Sequence, residues 1–282
     1  MLATDQFHRN LTGFHQRFVD LADRYDGTIH CSAELEAIIG AYSAFITDEA
    51  NKHAWKQLEQ LDEGPATADL SNLAIDLRQS SARCVAIMEK YRAIKLLSGE
   101  EESAGYFKNI ESCIEEEFGN FQLSADSKVL LIGSGSFPMT PLYIAKRTSA
   151  TVIGIDIDEE AIHLGRSVID RLGKGLNIQL EQTFINELDG MQDVTHIIFS
   201  STVSNKYGLL EQLHGLTNDN VIVAMRFGDG LKSLFNYPKQ EVNRRQWTLV
   251  ETIARPRQVF DIALYRKTGQ QTDSERGLYE RV

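Results

Sequence analysis

Cysteine is scarce in these 282 residues: Cys31, Cys84 and Cys113 stand far apart with no paired spacing. There is no disulfide framework here and no zinc ligand set, and the three read as reduced core thiols of a cytosolic protein. Positive charge is short as well. Lys and Arg number 29 against 40 Asp and Glu, a formal net charge of −11 with no basic stripe to offset it. Such a chain repels phosphate, which excludes a nucleic-acid partner. No apolar run reaches the roughly 18–20 residues needed to span a bilayer, so no membrane role is expected. The opening MLATDQFHRNLTGFHQRF has no basic flank before an apolar core, so no secretory leader is expected. Repeats and low-complexity tracts are absent. The seven histidines, His163 and His196 among them, lack ligand spacing and are expected at the surface or satisfied in the core, leaving no metal site in view.

What is present suffices for ordinary cores. Hydrophobic residues make up 42%, and the length fits two domains or one with a large extension. The pattern changes near residue 122. Before it, apolar residues recur at helical spacing, as in Leu35, Ile38, Ile39, Tyr42, Phe45 and Ile46. Four or five helices are predicted. One is long, from after Gly64-Pro65 to about Leu97, with Ser98-Gly99 as its stop, and a shorter one spans about 103–118. After Leu123 short apolar runs alternate with helical stretches. Strands are expected at 128–134, 151–158, 178–183, 194–202 and 221–227, with helices at about 138–149, 159–173 and 205–216. Alternation of this kind specifies a parallel sheet covered on both faces. Strands at 247–254 and 260–266 are joined too closely for a parallel crossover and must pair antiparallel. The predicted architecture is therefore α/β, with an all-α region over 1–122. A class I methyltransferase-like Rossmann domain follows over 123–270, its parallel sheet ending in an antiparallel hairpin, and then a polar tail over 271–282.

The most informative segment runs from Val129 to Thr140. A buried strand leads into Gly133-Ser134-Gly135, where missing side chains let a ligand approach the backbone. Pro138 suits the first turn of a helix, where its absent N–H costs nothing. Where a dinucleotide site carries a third glycine for pyrophosphate, Phe137-Pro138 fills the space, so the loop suits a ligand without phosphate, such as S-adenosylmethionine. Asp156 ends the second strand about twenty residues on, where an acid accepts hydrogen bonds from ribose hydroxyls. Ile157 follows it. Asp158 reads either as a second ligand acid or as the N-cap of the helix beginning Glu159-Glu160-Ala161. Thr183-Phe184 and Ser200-Ser201 end the third and fourth strands on the same rim, either touching ligand or filling loops.

At this point a resemblance emerges. Gly133–Thr140 (GSGSFPMT), Gly154–Asp158 (GIDID), Gly105–Glu111 (GYFKNIE), Met225–Gly230 (MRFGDG) and Phe260–Tyr265 (FDIALY) together resemble the nicotianamine synthase family. They are most like its bacterial, staphylopine-synthase type. The similarity extends from about residue 30 to residue 267. It implies an enzyme that attacks the γ-carbon of the methionine part of S-adenosylmethionine, releases 5′-methylthioadenosine and forms a C–N bond. In the bacterial branch it implies one transfer, to D- or L-histidine, with the product passed to an opine dehydrogenase that completes a metal-chelating metallophore. Cytoplasmic location follows, and the oligomeric state stays open between monomer and homodimer.

The resemblance also assigns residues. Tyr106 matches the family's active-site tyrosine, to orient the acceptor amine or pass its proton; a core aromatic is the alternative. Asn109 is assigned to substrate, and Glu111 to an ammonium or imidazole, unless Glu111, Glu115, Glu116 and Glu117 form a solvated acidic face. Arg226, at the C-terminal end of the fifth strand, is placed to clamp a carboxylate bidentately. The alternative is an ion pair with Asp229, itself a substrate contact or a turn residue between Gly228 and Gly230. One departure stands out. The family carries a catalytic glutamate on the helix before the tyrosine, whereas here Ser80, Ser81 and Ala82 occupy the middle. The nearby acids, Asp76 and Glu89, are out of register. A small-molecule N-methyltransferase and a non-catalytic S-adenosylmethionine-binding module are the rival functions, the latter expected to tolerate Tyr106→Phe.

Overall fold

The computed structural model of the chain describes residues 2–60, 65–100, 117 and 121–269. Four helices come first: α1 (Leu2–Asp23), α2 (Ser32–Thr47), α3 (Glu49–Glu59) and α4 (Pro65–Ser98). Asp48 starts α3 by accepting a hydrogen bond from Asn51 N at 3.0 Å, the N-cap exchange that satisfies an otherwise unpaired helix donor. The 34 residues of α4 extend about 50 Å at 1.5 Å per residue, enough to cross the whole molecule. It packs on α1 and α2 and reaches the helix Glu159–Leu172 of the second part. With neighbours on several sides, it needs no single apolar stripe.

The second part alternates as its sequence predicts. It contains β1 (Lys128–Ile132), α5 (Met139–Thr148), β2 (Thr151–Asp156), α6 (Glu159–Leu172), β3 (Ile178–Gln182) and β4 (His196–Phe199). Then come α7 (Lys206–Leu216), β5 (Ile222–Phe227), β6 (Trp247–Ile253) and β7 (Asp261–Lys267). Each of the first five strands is shorter than expected; β1 ends where the chain turns at Gly133 and β2 ends before the N-cap at Asp158. The seven strands lie in the order β3-β2-β1-β4-β5-β7-β6. The first five are parallel, and β7 inserts antiparallel between β5 and β6. This is the class I methyltransferase layout. Strand order reverses at β1, between β2 and β4, and the crevice beyond the strands' C-terminal ends at that point is where open α/β sheets bind ligands.

Two apolar layers cover the sheet. One gathers Ile132, Ile155, Phe199, Met225 and Trp247, the other Leu131, Val152, Ile198, Ala224 and Leu264. The helical half has its own core, rich in aromatics. Tyr42 packs edge-on against Phe18 (5.1 Å) and Phe235 (5.5 Å), contacts worth about 0.5–1.5 kcal/mol each beyond their buried area. Leu231, Leu234 and Phe235 come from the far side of the sequence boundary near 122 and complete this helical core. The Tyr42 hydroxyl donates to Leu234 O at 2.9 Å, and Arg78 Nε donates to Ser233 O at 2.7 Å. The segment after β5 thus locks the helices onto the sheet and fixes the crevice between them.

Candidate functional site

The site is built from the end of β1. Gly133 and Ser134 donate their N–H groups to Ile155 O at 2.9 and 3.0 Å, so the loop is tied down as it leaves the sheet. Gly133 has φ +81°, and a Cβ there would stand 2.8 Å from Val203 Cγ2. Gly135 has φ +67°, and its N–H donates to Asp156 Oδ2 at 2.9 Å. The other oxygen of Asp156 accepts from Asp158 N at 3.1 Å. Asp156 is therefore fastened by two backbone donors while its remaining lone pairs stay open for a ligand. Asp158 is the N-cap of α6, accepting from Ala161 N at 3.1 Å, as its blander reading had it.

These residues line a cavity of about 460 Å³. Gly133, Gly135 and Asp156 form its floor. Ile157 and Phe184 form apolar lips, 71% and 58% exposed, surfaces that ordinarily would be buried. The stretch 202–205 closes one side. The opposite wall is α4, through Ala82, Ala86 and Glu89, spaced i, i+4 and i+7 on one helix face.

Of Asp76 and Glu89 on this helix, Glu89 reaches the cavity. Its carboxylate presses on the bare α-carbon of Gly135, where a Cβ would come within 1.9 Å of Oε2. Burial and then the charge of Asp156 push its carboxyl up to about 8, against the pull of Arg92, the Ser136 N–H and Arg226. Asp76 is exposed elsewhere on the helix, and Ser81 is buried with its hydroxyl on Arg78 O. Lys90, the next residue, clamps the two halves together. Its ammonium sits 2.7 Å from Asp158 Oδ2 and 2.6 Å from Glu160 Oε2, and the Tyr25 hydroxyl donates to Glu160 Oε1 at 2.6 Å. Burial pulls Lys90 down, but its bonds to the two acids outweigh that and raise it.

Other expected site residues fall outside the cavity wall. Ser134 turns its side chain against Gly154, and Pro138 packs toward Gly165 of α6. Ser200 lies behind Gly133, its hydroxyl 3.4 Å from Thr202 Oγ1. Tyr106, Asn109 and Glu111 lie outside the described residues, as do Cys113, the tail and, apart from Glu117, the helix expected over 103–118. Arg226 is buried at the end of β5. It is paired not with Asp229 but with Glu117, through Nε at 2.6 Å and Nη2 at 2.7 Å, and its guanidinium lies over the Phe260 ring. Thr140 Oγ1 accepts from the same Nη2 at 3.3 Å. Glu117 is wholly buried and so does not belong to a solvated acidic face. Asp229 accepts from Lys239 N at 2.9 Å, a contact that spans ten residues of loop.

Lys206, at the start of α7, was not foreseen either. It is fully buried, donating to Ser201 O at 2.9 Å and to Arg226 O, and thereby joins the ends of β4 and β5. Burial, then Arg226 beside it, pull its ammonium down to about 7. His196 is buried against Thr195, and burial lowers it to about 4. Among the described residues no three His, Cys, Asp or Glu gather into a metal-binding group, and no helix is long and apolar enough to cross a membrane.

No family model matches the chain. A protein of Pseudomonas aeruginosa (strain UCBPP-PA14) named L-histidine 2-aminobutanoyltransferase is 27% identical over 241 residues, spanning 85% of this chain and 89% of that one. One of Yersinia pestis with the same name is 34% identical over 174 residues, 61% of this chain and 64% of the relative. Among solved structures, a mutant of MtNAS in complex with S-adenosylmethionine is similar with a TM-score of 0.66 at 14% identity. That match covers 90% of this chain and 98% of the other, a shared fold that includes the helical half.

Proposed function

We propose that this chain transfers the 3-amino-3-carboxypropyl group of S-adenosylmethionine to the amine of histidine, releasing 5′-methylthioadenosine. The observation that carries the reading is the cavity itself: a glycine-floored site with two apolar lips, lined by the carboxylates of Glu89, Asp156 and Asp158. Acids there disfavour a pyrophosphate and favour a ligand bearing a sulfonium and an ammonium. Asp156 holds the ribose hydroxyls, and Ile157 with Phe184 takes the planar base. Gly133 and Gly135 let the methionine part run along bare backbone toward Glu89. The relatives named L-histidine 2-aminobutanoyltransferase support the acceptor and the transferred group, and support the resemblance to nicotianamine synthases.

The sulfonium is its own leaving group, so the protein needs to place a neutral amine in line with the γ-carbon and away from the methyl. Positioning of that kind supplies roughly 7–11 kcal/mol. The amine nitrogen forms the new bond to the γ-carbon while the C–S bond breaks with its electron pair on sulfur. One proton leaves the nitrogen to a base. By the resemblance, Tyr106 takes part in that proton transfer, with Asn109 on substrate and Glu111 holding an ammonium or imidazole. The walls around the cavity limit water, which would otherwise screen the charges. The reading carries with it a cytoplasmic enzyme that works without a metal. An opine dehydrogenase then consumes the product.

Mass spectrometry of the purified protein with S-adenosylmethionine and each histidine enantiomer tests this. Methylthioadenosine together with an aminobutanoyl adduct of L-histidine is expected. S-adenosylhomocysteine with a methylated acceptor would sink the proposal in favour of a methyltransferase, and cofactor binding without any product would favour a sensor.

A further inference from the structure

Of the three carboxylates that line the cavity, Asp158 caps α6 and pairs with Lys90, and the other two are held in different ways. Asp156 has one backbone N–H on each oxygen, at 2.9 and 3.1 Å, so it keeps its place whatever the cavity contains. Glu89 has no such cradle. Its Oε2 lies over the bare α-carbon of Gly135, and the Ser136 N–H is a backbone donor to its carboxyl. The charges facing it are Asp156 from β2, Arg92 from its own helix and Arg226 from β5. Both arginines are already engaged, Arg92 with Glu36 at 3.1 Å and Arg226 with Glu117 at 2.6 Å. On the α6 side, Asp158 is taken by Lys90 at 2.7 Å. Among the described residues, no cation makes an ion pair with Glu89. A carboxylate that borders a cavity beside a second carboxylate, with no ion pair of its own, is completed by a positive charge arriving with the ligand.

We propose that Glu89 is the residue by which this site distinguishes its positively charged substrate from the neutral nucleoside left after transfer. The inference rests on the reading of the cavity as an S-adenosylmethionine site. Substrate brings a sulfonium and an α-ammonium, and 5′-methylthioadenosine has neither. Binding of the cation drives one proton off the Glu89 carboxyl into solvent, so the ion pair forms at the cost of a proton release. Once the C–S bond breaks, the thioether nucleoside has no partner for the carboxylate. Glu89 then takes a proton back, and the nucleoside is held only by the apolar lips and Asp156. The raised carboxyl pKa, about 8, agrees with this geometry.

The test is calorimetric titration of the whole chain with S-adenosylmethionine, S-adenosylhomocysteine and methylthioadenosine, from pH 6.0 to 7.5. Two buffers of different ionisation enthalpy count the protons released. For the wild type, S-adenosylmethionine affinity is expected to rise close to tenfold per pH unit, with about one proton released, while methylthioadenosine affinity stays flat. S-adenosylhomocysteine, which keeps the ammonium but not the sulfonium, tells which cation faces the carboxylate by following one behaviour or the other. In Glu89→Gln the pH dependence is expected to vanish, with S-adenosylmethionine binding about tenfold or more weakly at pH 7.5 and methylthioadenosine within about threefold of wild type. The amide keeps the shape and removes the repulsion from Asp156, and circular dichroism with a thermal midpoint confirms that the variant is folded. An unchanged preference for S-adenosylmethionine over methylthioadenosine in that variant, or a pH-independent wild type, overturns the inference and leaves the site reading intact. A wild type that binds none of the three nucleosides overturns the site reading and this inference together.

Discussion

The floor and the α4 wall of the cavity are built on opposite terms. The floor, from the end of β1 through the glycine turn to Asp156, is defined by backbone: positive-φ glycines, N–H groups on Ile155 O, and an acid fastened by main-chain donors. The opposite wall is a continuous helix, and everything it contributes is a side chain: the small Ala82 and Ala86, the carboxyl of Glu89 and the clamp of Lys90. A backbone-defined floor depends on local chain geometry, so a change there strains the turn itself. A side-chain wall depends on where a helix has been docked, so a change there alters charge or contact and leaves the helix standing. The contrast yields an ordered set of expected effects.

The largest lies beyond both, at the end of β5. Arg226→Met strands the fully buried Glu117 carboxylate, which costs about 3–5 kcal/mol of stability, readable as a loss in a urea titration. Replacing Glu117 by Leu in the same chain should recover most of it, because no buried charge is then left alone. Failure of the double variant to recover would mean that the pair's role is not mainly mutual neutralisation.

Next is Gly135→Ala. It puts a methyl group where Glu89 Oε2 stands, 1.9 Å away, on a residue with φ +67°. The methyl joins the two walls in one clash. Strain of about 1–3 kcal/mol at such a φ, with the displaced carboxylate, predicts a fall in kcat/KM of about a hundredfold. A drop shared by Glu89→Ala/Gly135→Ala would assign the effect to the loop alone, whereas recovery in that double variant would assign it to the clash.

Lys90→Met tests the helix side without touching the floor. It frees Asp158 and Glu160 near the start of α6 and loosens the docking of α4. Because Asp158 and Glu160 reach solvent although Lys90 is largely buried, about 1 kcal/mol is expected, seen as a several-fold rise in KM for the nucleoside substrate with kcat little changed. Equal falls in kcat and kcat/KM would instead place Lys90 in the chemical step.

The smallest effect is a pH slope. The Glu89 carboxyl has a higher pKa folded, about 8, than its ordinary 4.5. Its contribution to stability is therefore full below pH 4.5 and is lost as pH rises through 8. Lys206, lowered to about 7 by burial, works the opposite way and favours the fold as pH rises above that value. The ligand-free thermal midpoint of wild type minus that of Glu89→Gln isolates the first group. That difference should fall between pH 5 and 8, and a flat difference would mean that the carboxyl titrates in its ordinary range.

Much of the floor was legible in the sequence because its determinants are contiguous. Gly133, Gly135 and Asp156 belong to one strand-turn-helix-strand unit, and the N-cap role of Asp158 follows from its place before Glu159-Glu160-Ala161. The limits of that reading show at Ser134, Pro138 and Ser200, which sit in the right loops with their side chains off the cavity wall. Arg226 was legible as a buried cation at the strand end, but not its partner, since Glu117 lies 109 residues earlier and Asp229 only three later. Glu89 also leaves a readable trace. The two alanines at 82 and 86 and the acid at 89 share a helix face, and small residues on one face of a long helix mark a place where something else needs room.

The order of strands and helices, the glycine turn, the caps and the antiparallel ending were set by the sequence alone, because each depends on residues within about one element of another. Tertiary structure decided which acid on α4 meets the glycine floor, which partner neutralises Arg226, and that residues 231–235 finish the helical core. Those outcomes depend on how a helix of 34 residues is docked against the sheet by Tyr42, Arg78 and Lys90. A shift of a single residue along that helix moves a side chain by about 100° around its axis, and only the packed structure fixes it.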